Sequence, residues 1–165
     1  MLRNDIDLTL HTKCLNNIYV YIMLFDYANE NDSSEIENCG RTCLPLYYSK
    51  RELINMMNDK NYNILKVSDE NKLVGFLITR IDENNLGYII SIGIYPEYQN
   101  KKIGSKLLDL AKEIMPNRNI ILYTQTSNKR AVSFYKKNDF IIMNKLDDYY
   151  SHISNKNAYK MIYLR

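Results

Sequence analysis

The stretch Ser91-Ile92-Gly93-Ile94-Tyr95-Pro96-Glu97-Tyr98-Gln99-Asn100-Lys101-Lys102-Ile103-Gly104-Ser105 narrows the possible folds more than any other part of the chain. Leading into it, Gly87 to Tyr95 is apolar almost throughout, as a central strand covered on both faces must be. The two-residue period of a strand puts Tyr88, Ile90, Ile92 and Ile94 on one of those faces. Beyond it, Ile103, Leu107, Leu110, Ala111 and Ile114 recur at helical spacing, while Lys106, Asp109 and Lys112 stay on the wet side. Pro116 stops that helix. A polar loop with two lysines that opens a helix gathers backbone N–H groups at the positive end of the helix dipole. Such a corner holds phosphate.

Composition adds mainly exclusions. A length of 165 residues fits one domain with a sizeable core. A net charge of +3 is too small to argue for nucleic acid and suits a mild preference for anionic ligands. The longest apolar run, Ile18 to Phe25, is too short to span a bilayer. Met1 to Asp5 is polar and lacks the apolar core of a secretory leader, so the expected location is cytoplasmic, with the nucleus compatible. Cys14, Cys39 and Cys43 form no even disulfide framework. No His or Cys pair stands near Cys39 and Cys43 to complete a metal site, so free thiols and no metal are expected.

Taken in order, Ile6 to Leu10 alternates as a half-buried first strand, and Lys13 to Ala28 reads as a helix. Asn29 to Thr42 is polar and acidic and reads as a loop. Pro45 bars helix in Leu44-Pro45-Leu46-Tyr47-Tyr48, and Ser49 is the N-cap of a second helix running to about Asn58. Tyr62 to Val67 and Lys72 to Asp82 form a hairpin around Ser68-Asp69-Glu70-Asn71. A strand from Asn119 to Thr126, a helix from Lys129 to Lys137 and strands at Phe140 to Asn144 and Ala158 to Leu164 complete the chain. Phe134 is expected in the core.

The corner that opens this reading, with Gln99 three residues before Lys102 and Gly104 two beyond it, resembles the acetyl-CoA signature of the GCN5-related N-acetyltransferase (GNAT) family. That signature reads Gln/Arg-x-x-Gly-x-Gly/Ala, and Lys102 occupies its first glycine position, where glycine serves close approach or positive φ. Ser127-Asn128, Ala131-Val132-Ser133-Phe134-Tyr135 and Asp139-Phe140 resemble the family's second signature. The element order matches the family over nearly the whole chain. The resemblance implies an α/β fold: a single domain over 1–165 with a mixed central sheet of about seven strands. Helices lie on both faces, the central strands splay, and residues 29–43 are a loop insertion on the substrate side. It also implies acetyl-CoA or CoA as cofactor, held by Ile92, Gly93 and Ile94 of the strand, Gln99, Asn100, Lys101, Lys102, Ile103, Gly104 and Ser105 of the corner, and Asn128, Ser133 and Tyr135 of the second signature.

Within the family, Leu44-Pro45-Leu46-Tyr47-Tyr48, Arg80, Tyr88-Ile89-Ile90, Gln125-Thr126-Ser127-Asn128 and Asp148-Tyr149-Tyr150 look like the NatE-type N-terminal acetyltransferases, which acetylate the α-amine of Met-initiated chains. Carried over residue by residue, Leu44, Pro45, Leu46 and Tyr48 form one wall of a peptide groove, and Tyr149 and Tyr150 the other. Arg80 and Ile90 lie between. Apolar walls enclose a Met side chain, and tyrosines hydrogen-bond a peptide backbone. The expected catalytic residues are Tyr88 and Tyr123, which order a proton-relaying water, and Tyr135, which protonates the thiolate. Tyr123 stands where that subfamily has His, and phenol is a poorer proton acceptor than imidazole. His152 is an alternative acceptor. The alternatives are a GNAT enzyme acting on small amines or protein lysines, and a weakly active CoA-binding subunit of a larger N-terminal acetyltransferase complex at the ribosome.

Overall fold

The computed structural model describes residues 9–10, 23–151 and 154–165. Eight described strands form one sheet: β1 (Thr9–Leu10), β2 (Met23–Tyr27), β3 (Tyr62–Asp69), β4 (Lys72–Ile81), β5 (Gly87–Ile94), β6 (Ile120–Gln125), β7 (Ile141–Leu146) and β8 (Ala158–Tyr163). Their spatial order is β1-β2-β3-β4-β5-β6-β8-β7. Neighbours are antiparallel except β5 and β6, which run parallel. The helices are α1 (Ser33–Cys43), α2 (Lys50–Met57), α3 (Ile103–Ile114) and α4 (Lys129–Lys137).

Local chemistry explains each boundary. Ser49 caps α2 in a reciprocal box, taking the Glu52 N–H while Glu52 takes the Ser49 N–H. The β3–β4 turn puts Glu70 and Asn71 at φ 47° and 69°, the left-handed pair that a tight hairpin needs. Along α3, Ile103, Leu107, Leu108, Leu110 and Ala111 are buried, each large side chain contributing about 1.5–3 kcal/mol. They share one core with Val67, Leu77, Leu122, Tyr135, Phe140 and Met161. On the opposite face α1 and α2 close a second core of Ile36, Cys39, Leu53, Ile64, Leu73, Phe76 and Ile78.

Two expectations are corrected. Met23–Tyr27 is not the end of a helix but a strand paired with β3, from Met23 opposite Asp69 to Tyr27 opposite Leu65. Phe25 turns inward while Leu24 and Asp26 face out, a strand period that the density of apolar residues conceals. The rest of Lys13 to Ala28 and most of Ile6 to Leu10 lie outside the described residues. The segment 29–43 is not a loop: a 3-10 turn at Glu30–Asp32, capped by Asn29, leads into α1. Ile36, Cys39 and Gly40 make a narrow buried stripe, and the acidic residues are its solvated face. Gly40 is close-packed: a Cβ there would stand 3.1 Å from the Tyr47 Cβ.

α3 begins where Lys102, its N-cap residue, takes φ 62°, ψ 3°. A side chain in that region is strained by about 1–2 kcal/mol, offset in glycine by the unfolded chain's larger freedom. Lys102→Gly therefore raises the unfolding free energy by about 0.5–1 kcal/mol, read from urea denaturation; an unchanged or lowered midpoint contradicts the strain.

Candidate active site

The site arises from two events at one height of β5. Across to β4, Ile78 faces Ser91 and Thr79 faces Ile89, so Ile90 is the extra residue of a β-bulge. Across to β6, pairing runs only from Gly87–Ile120 to Ile89–Leu122 and then stops. Ile90–Ile94 and Tyr123–Gln125 diverge from there, β6 staying paired with β8 as far as Gln125–Ala158. The bulge also reverses the side-chain alternation. Ile90 packs with the α1–α2 core, whereas Ile92 and Ile94 pack with the α3 core. The expectation that Tyr88, Ile90, Ile92 and Ile94 share one face fails for that reason.

A cavity of about 1310 Å³ occupies the gap. Nearly all the residues singled out from sequence line it: Leu44, Pro45, Leu46, Tyr48, Arg80, Tyr88, Ile90, Ile92, Ile94, Gln99, Asn100, Lys102, Ile103, Gly104, Ser105, Tyr123, Asn128, Ser133, Tyr135, Tyr149 and Tyr150. Two do not. Gly93 lies on the other face, where a Cβ would stand 2.5 Å from the Phe76 ring. Lys101 turns outward, its ammonium 4.7 Å from the Tyr98 ring centre. His152 lies outside the described residues.

At one end the cavity meets the start of α3. Among the described residues no side chain caps this helix, and no acidic residue stands in its first turn, so its leading amides remain open to an anion. Asn100 and Lys102 at φ 63° and 62° bend the chain around that end. Gln99 braces the bend, donating from Nε2 to the Ile94 carbonyl at 2.8 Å. Arg130 at the start of α4 reaches across to the Asn100 Oδ1 at 3.5 Å, and Lys137 stands two turns further along α4 on the same cavity wall. Asn128 caps α4 by accepting the Ala131 N–H at 3.0 Å. This end fits a diphosphate. Sequence reading missed Arg130 and Lys137, whose seven-residue spacing on a helix was the available signal. Phe134, expected in the core, packs half-buried against it and also forms cavity wall between α3 and α4, so close that a Cβ on Gly104 would stand 2.9 Å from its ring.

The other end is apolar and aromatic. Tyr123 stacks on Tyr149 with ring centres 4.6 Å apart and planes at 12°, and Tyr149 meets Tyr150 edge-on at 4.9 Å. Such pairs are worth about 0.5–1.5 kcal/mol each beyond their buried area. Arg80 and Tyr88 face each other across β4 and β5, the guanidinium 5.3 Å from the ring centre. A hydrogen bond to Tyr62 holds the Arg80 guanidinium in its charged form, and its Nε is buried with no acceptor among the described residues. The Tyr88 hydroxyl donates to Asp82 Oδ2 at 3.1 Å. Burial raises the phenol pKa of Tyr88, Tyr135 and Tyr149, and pushes that of Tyr150 to about 12. Asp82 is drawn the other way, mainly by the Leu86 N–H, so its carboxylate stays ionised. No Asp, Glu or His is among the described lining residues, and the cations are Arg80, Lys102, Arg130 and Lys137.

Cys39 and Cys43 are free thiols, their sulfurs 3.9 Å apart, and burial raises both pKa values, so they stay protonated. Among the described residues no three potential ligands gather for a metal, and no helix is long and apolar enough to cross a membrane.

Comparison with known proteins agrees with this geometry. The chain is 35% identical over 100 residues to the spermidine N(1)-acetyltransferase of Thermoplasma acidophilum, covering 56% of this chain and 62% of that protein. It is 32% identical over 117 residues to N-alpha-acetyltransferase 50 of Danio rerio, covering 62% and 70%. The chain thus spans less than two thirds of the first relative. Its fold is shared with Arabidopsis thaliana Naa50 in complex with the bisubstrate analogue CoA-Ac-MVNAL, at TM-score 0.76 and 22% identity, over 87% of this chain and 99% of that one. The acetyltransferase (GNAT) family matches residues 24–140, well over half of the sequence. With its split sheet and uncapped phosphate corner, the chain belongs to the acetyltransferase (GNAT) family.

Proposed function

We propose that this protein takes acetyl-CoA as donor and acetylates the α-amine of protein N-termini, with Met-initiated chains as preferred acceptors. One observation carries the choice of acceptor: the wall opposite the phosphate corner is built from Leu44, Pro45, Leu46, Tyr48, Ile90, Tyr149 and Tyr150, with no carboxylate among the described lining residues. A thioether side chain fits such a wall. The N-alpha-acetyltransferase relative and the Met-initiated analogue held by the Arabidopsis protein support the same acceptor.

The open amides of Ile103, Gly104 and Ser105, with Lys102 and Arg130, would hold the diphosphate. Ile92, Ile94, Asn128 and Ser133 would flank the pantetheine arm. Acetyl-CoA supplies a thioester whose carbonyl carbon the amine attacks. Backbone N–H near Ile92, on the strand edge that β6 has left, is the oxyanion donor. Tyr88 and Tyr123 order a water that removes the amine proton. Tyr135, kept protonated by burial, gives a proton to the thiolate. This reading fits a cytoplasmic enzyme, with the ribosome and a larger N-terminal acetyltransferase complex as the candidate partners that the family resemblance implies.

The spermidine N(1)-acetyltransferase relative favours a second reading, a polyamine acceptor. A polycation calls for carboxylates, and the described wall offers cations and phenols instead. Thiol release from acetyl-CoA with Met-Leu, Met-Lys, Ser-Glu and N-terminally blocked Met-Leu peptides tests the first reading. Turnover is expected on free Met peptides and not on the blocked one, and Tyr88→Phe lowers it about 100-fold; equal turnover on the blocked peptide contradicts α-amine transfer. Because Tyr88, Tyr135, Tyr149 and Tyr150 all titrate above their usual range, the attacking amine is the group that sets the pH profile. Below about pH 8, kcat/KM falls about tenfold per pH unit as the amine protonates, and above it levels off. A plateau extending down to pH 6 contradicts that.

A further inference from the structure

Tyr88 raises a problem that the acceptor chemistry alone leaves open. The phenol must take a proton in a cleft whose described lining holds neither imidazole nor carboxylate. Its hydroxyl hydrogen is already committed outside the cleft, to Asp82 Oδ2 at 3.1 Å. The carboxylate that receives it is fixed. Asp82 Oδ1 accepts the Asn84 N–H at 3.0 Å and the Leu86 N–H at 2.9 Å, so the turn after β4 presents Oδ2 to Tyr88 in one orientation. The turn itself is closed by Asp82 N–H to the Leu86 carbonyl and Asn85 N–H to the Asp82 carbonyl, both at 3.0 Å. Arg80 lies beside both groups, its guanidinium 5.3 Å from the Tyr88 ring centre.

We propose that Asp82 and Tyr88 form the proton outlet of the cleft. With its hydrogen turned out to Asp82, the Tyr88 oxygen presents lone pairs inward, as a proton acceptor must. As the acceptor nitrogen bonds to the thioester carbon it loses a proton through the ordered water to the Tyr88 oxygen. The original Tyr88 proton passes to Asp82 Oδ2 and from there to bulk water. The carbon–sulfur bond breaks, and the thiolate takes a proton from Tyr135, which regains one from solvent, so the protons balance. Asp82 is a positioning residue in this scheme, acting through Tyr88. It ionises readily because backbone N–H groups hold its carboxylate, so it returns the proton to solvent at once.

The inference rests on the acetyl-transfer reading above and is tested apart from it. Asp82→Asn keeps an oxygen for the Asn84 and Leu86 N–H groups and turns an NH₂ donor toward Tyr88, reversing the phenol's hydrogen into the cleft. With a Met-Leu peptide, kcat should fall about 10- to 100-fold, with both KM values within twofold of wild type. Added imidazole should restore part of the lost rate. Asp82→Asn in the Tyr88→Phe background should cost no further activity, as expected of a residue that acts only through Tyr88. The Tyr88 ring-carbon (Cζ) resonance in ¹³C-tyrosine-labelled protein reads the same bond without turnover, and it should move in Asp82→Asn. An unmoved resonance, a kcat within twofold of wild type, or fully additive losses in the double variant would overturn the outlet. A wild-type protein inactive on every free peptide contradicts the acceptor assignment instead, and the resonance still decides the Asp82–Tyr88 bond.

Discussion

Everything in this molecule depends on one break in pairing between β5 and β6. Parallel strands share hydrogen bonds only while they stay about 5 Å apart. Here they keep that spacing for the three pairs from Gly87–Ile120 to Ile89–Leu122 and then lose it. The cost is borne on both sides. β5 remains anchored to β4 from Gly75–Ile94 to Ile81–Gly87, with one bulge at Ile90, and β6 remains anchored to β8 along its whole length. Two rigid half-sheets therefore stand apart around a cavity that neither could make alone, and the strand edges facing it keep backbone groups for a ligand.

The same break sorts the chemistry. The β5–α3 corner lies at one end, where an uncapped helix start and the cations Lys102 and Arg130 favour an anion. Arg80, Tyr88, Tyr123, Tyr149 and Tyr150 line the other, where tyrosines dominate. The stack of Tyr123 on Tyr149 joins β6 to the segment that follows β7, so the Tyr123 ring also serves as a strut. Tyr88 is the point of contact between the cleft and the solvent-side turn through Asp82. A site that lacks imidazole among its described lining residues can still move a proton if a phenol is held in the right orientation.

The sequence made the local features plain and the pairwise ones obscure. α3 was readable because five apolar residues recur at helical spacing, and α2 because Ser49 and Glu52 make a capping box. That Leu44, Leu46, Tyr48, Tyr149 and Tyr150 meet on one cavity was suggested only by the resemblance to a known family, because no local pattern links positions about a hundred residues apart. β2 was misread because Ile18 to Phe25 is apolar enough to satisfy either period, and pairing with β3 decided it. α1 was misread because Gly40 and a run of acids look like a loop until Phe76 and Tyr47 are seen packing against the glycine. The bulge at Ile90 had no local signal at all, since register belongs to two strands at once. Asp82 was read as the end of a strand, not as a site residue, for the same reason: the hydroxyl it accepts from belongs to the next strand, six positions away.

The most direct test of this account is competition. Wild-type protein, acetyl-CoA, spermidine and a Met-Leu peptide at equal concentrations are incubated together, and both acetylated products are quantified by mass spectrometry in the same sample. A wall of Leu44, Leu46, Tyr48, Tyr149 and Tyr150 without a carboxylate predicts acetylated peptide in large excess, modified at its α-amine. Acetylspermidine as the main product would contradict the acceptor half of the account and leave the donor half standing.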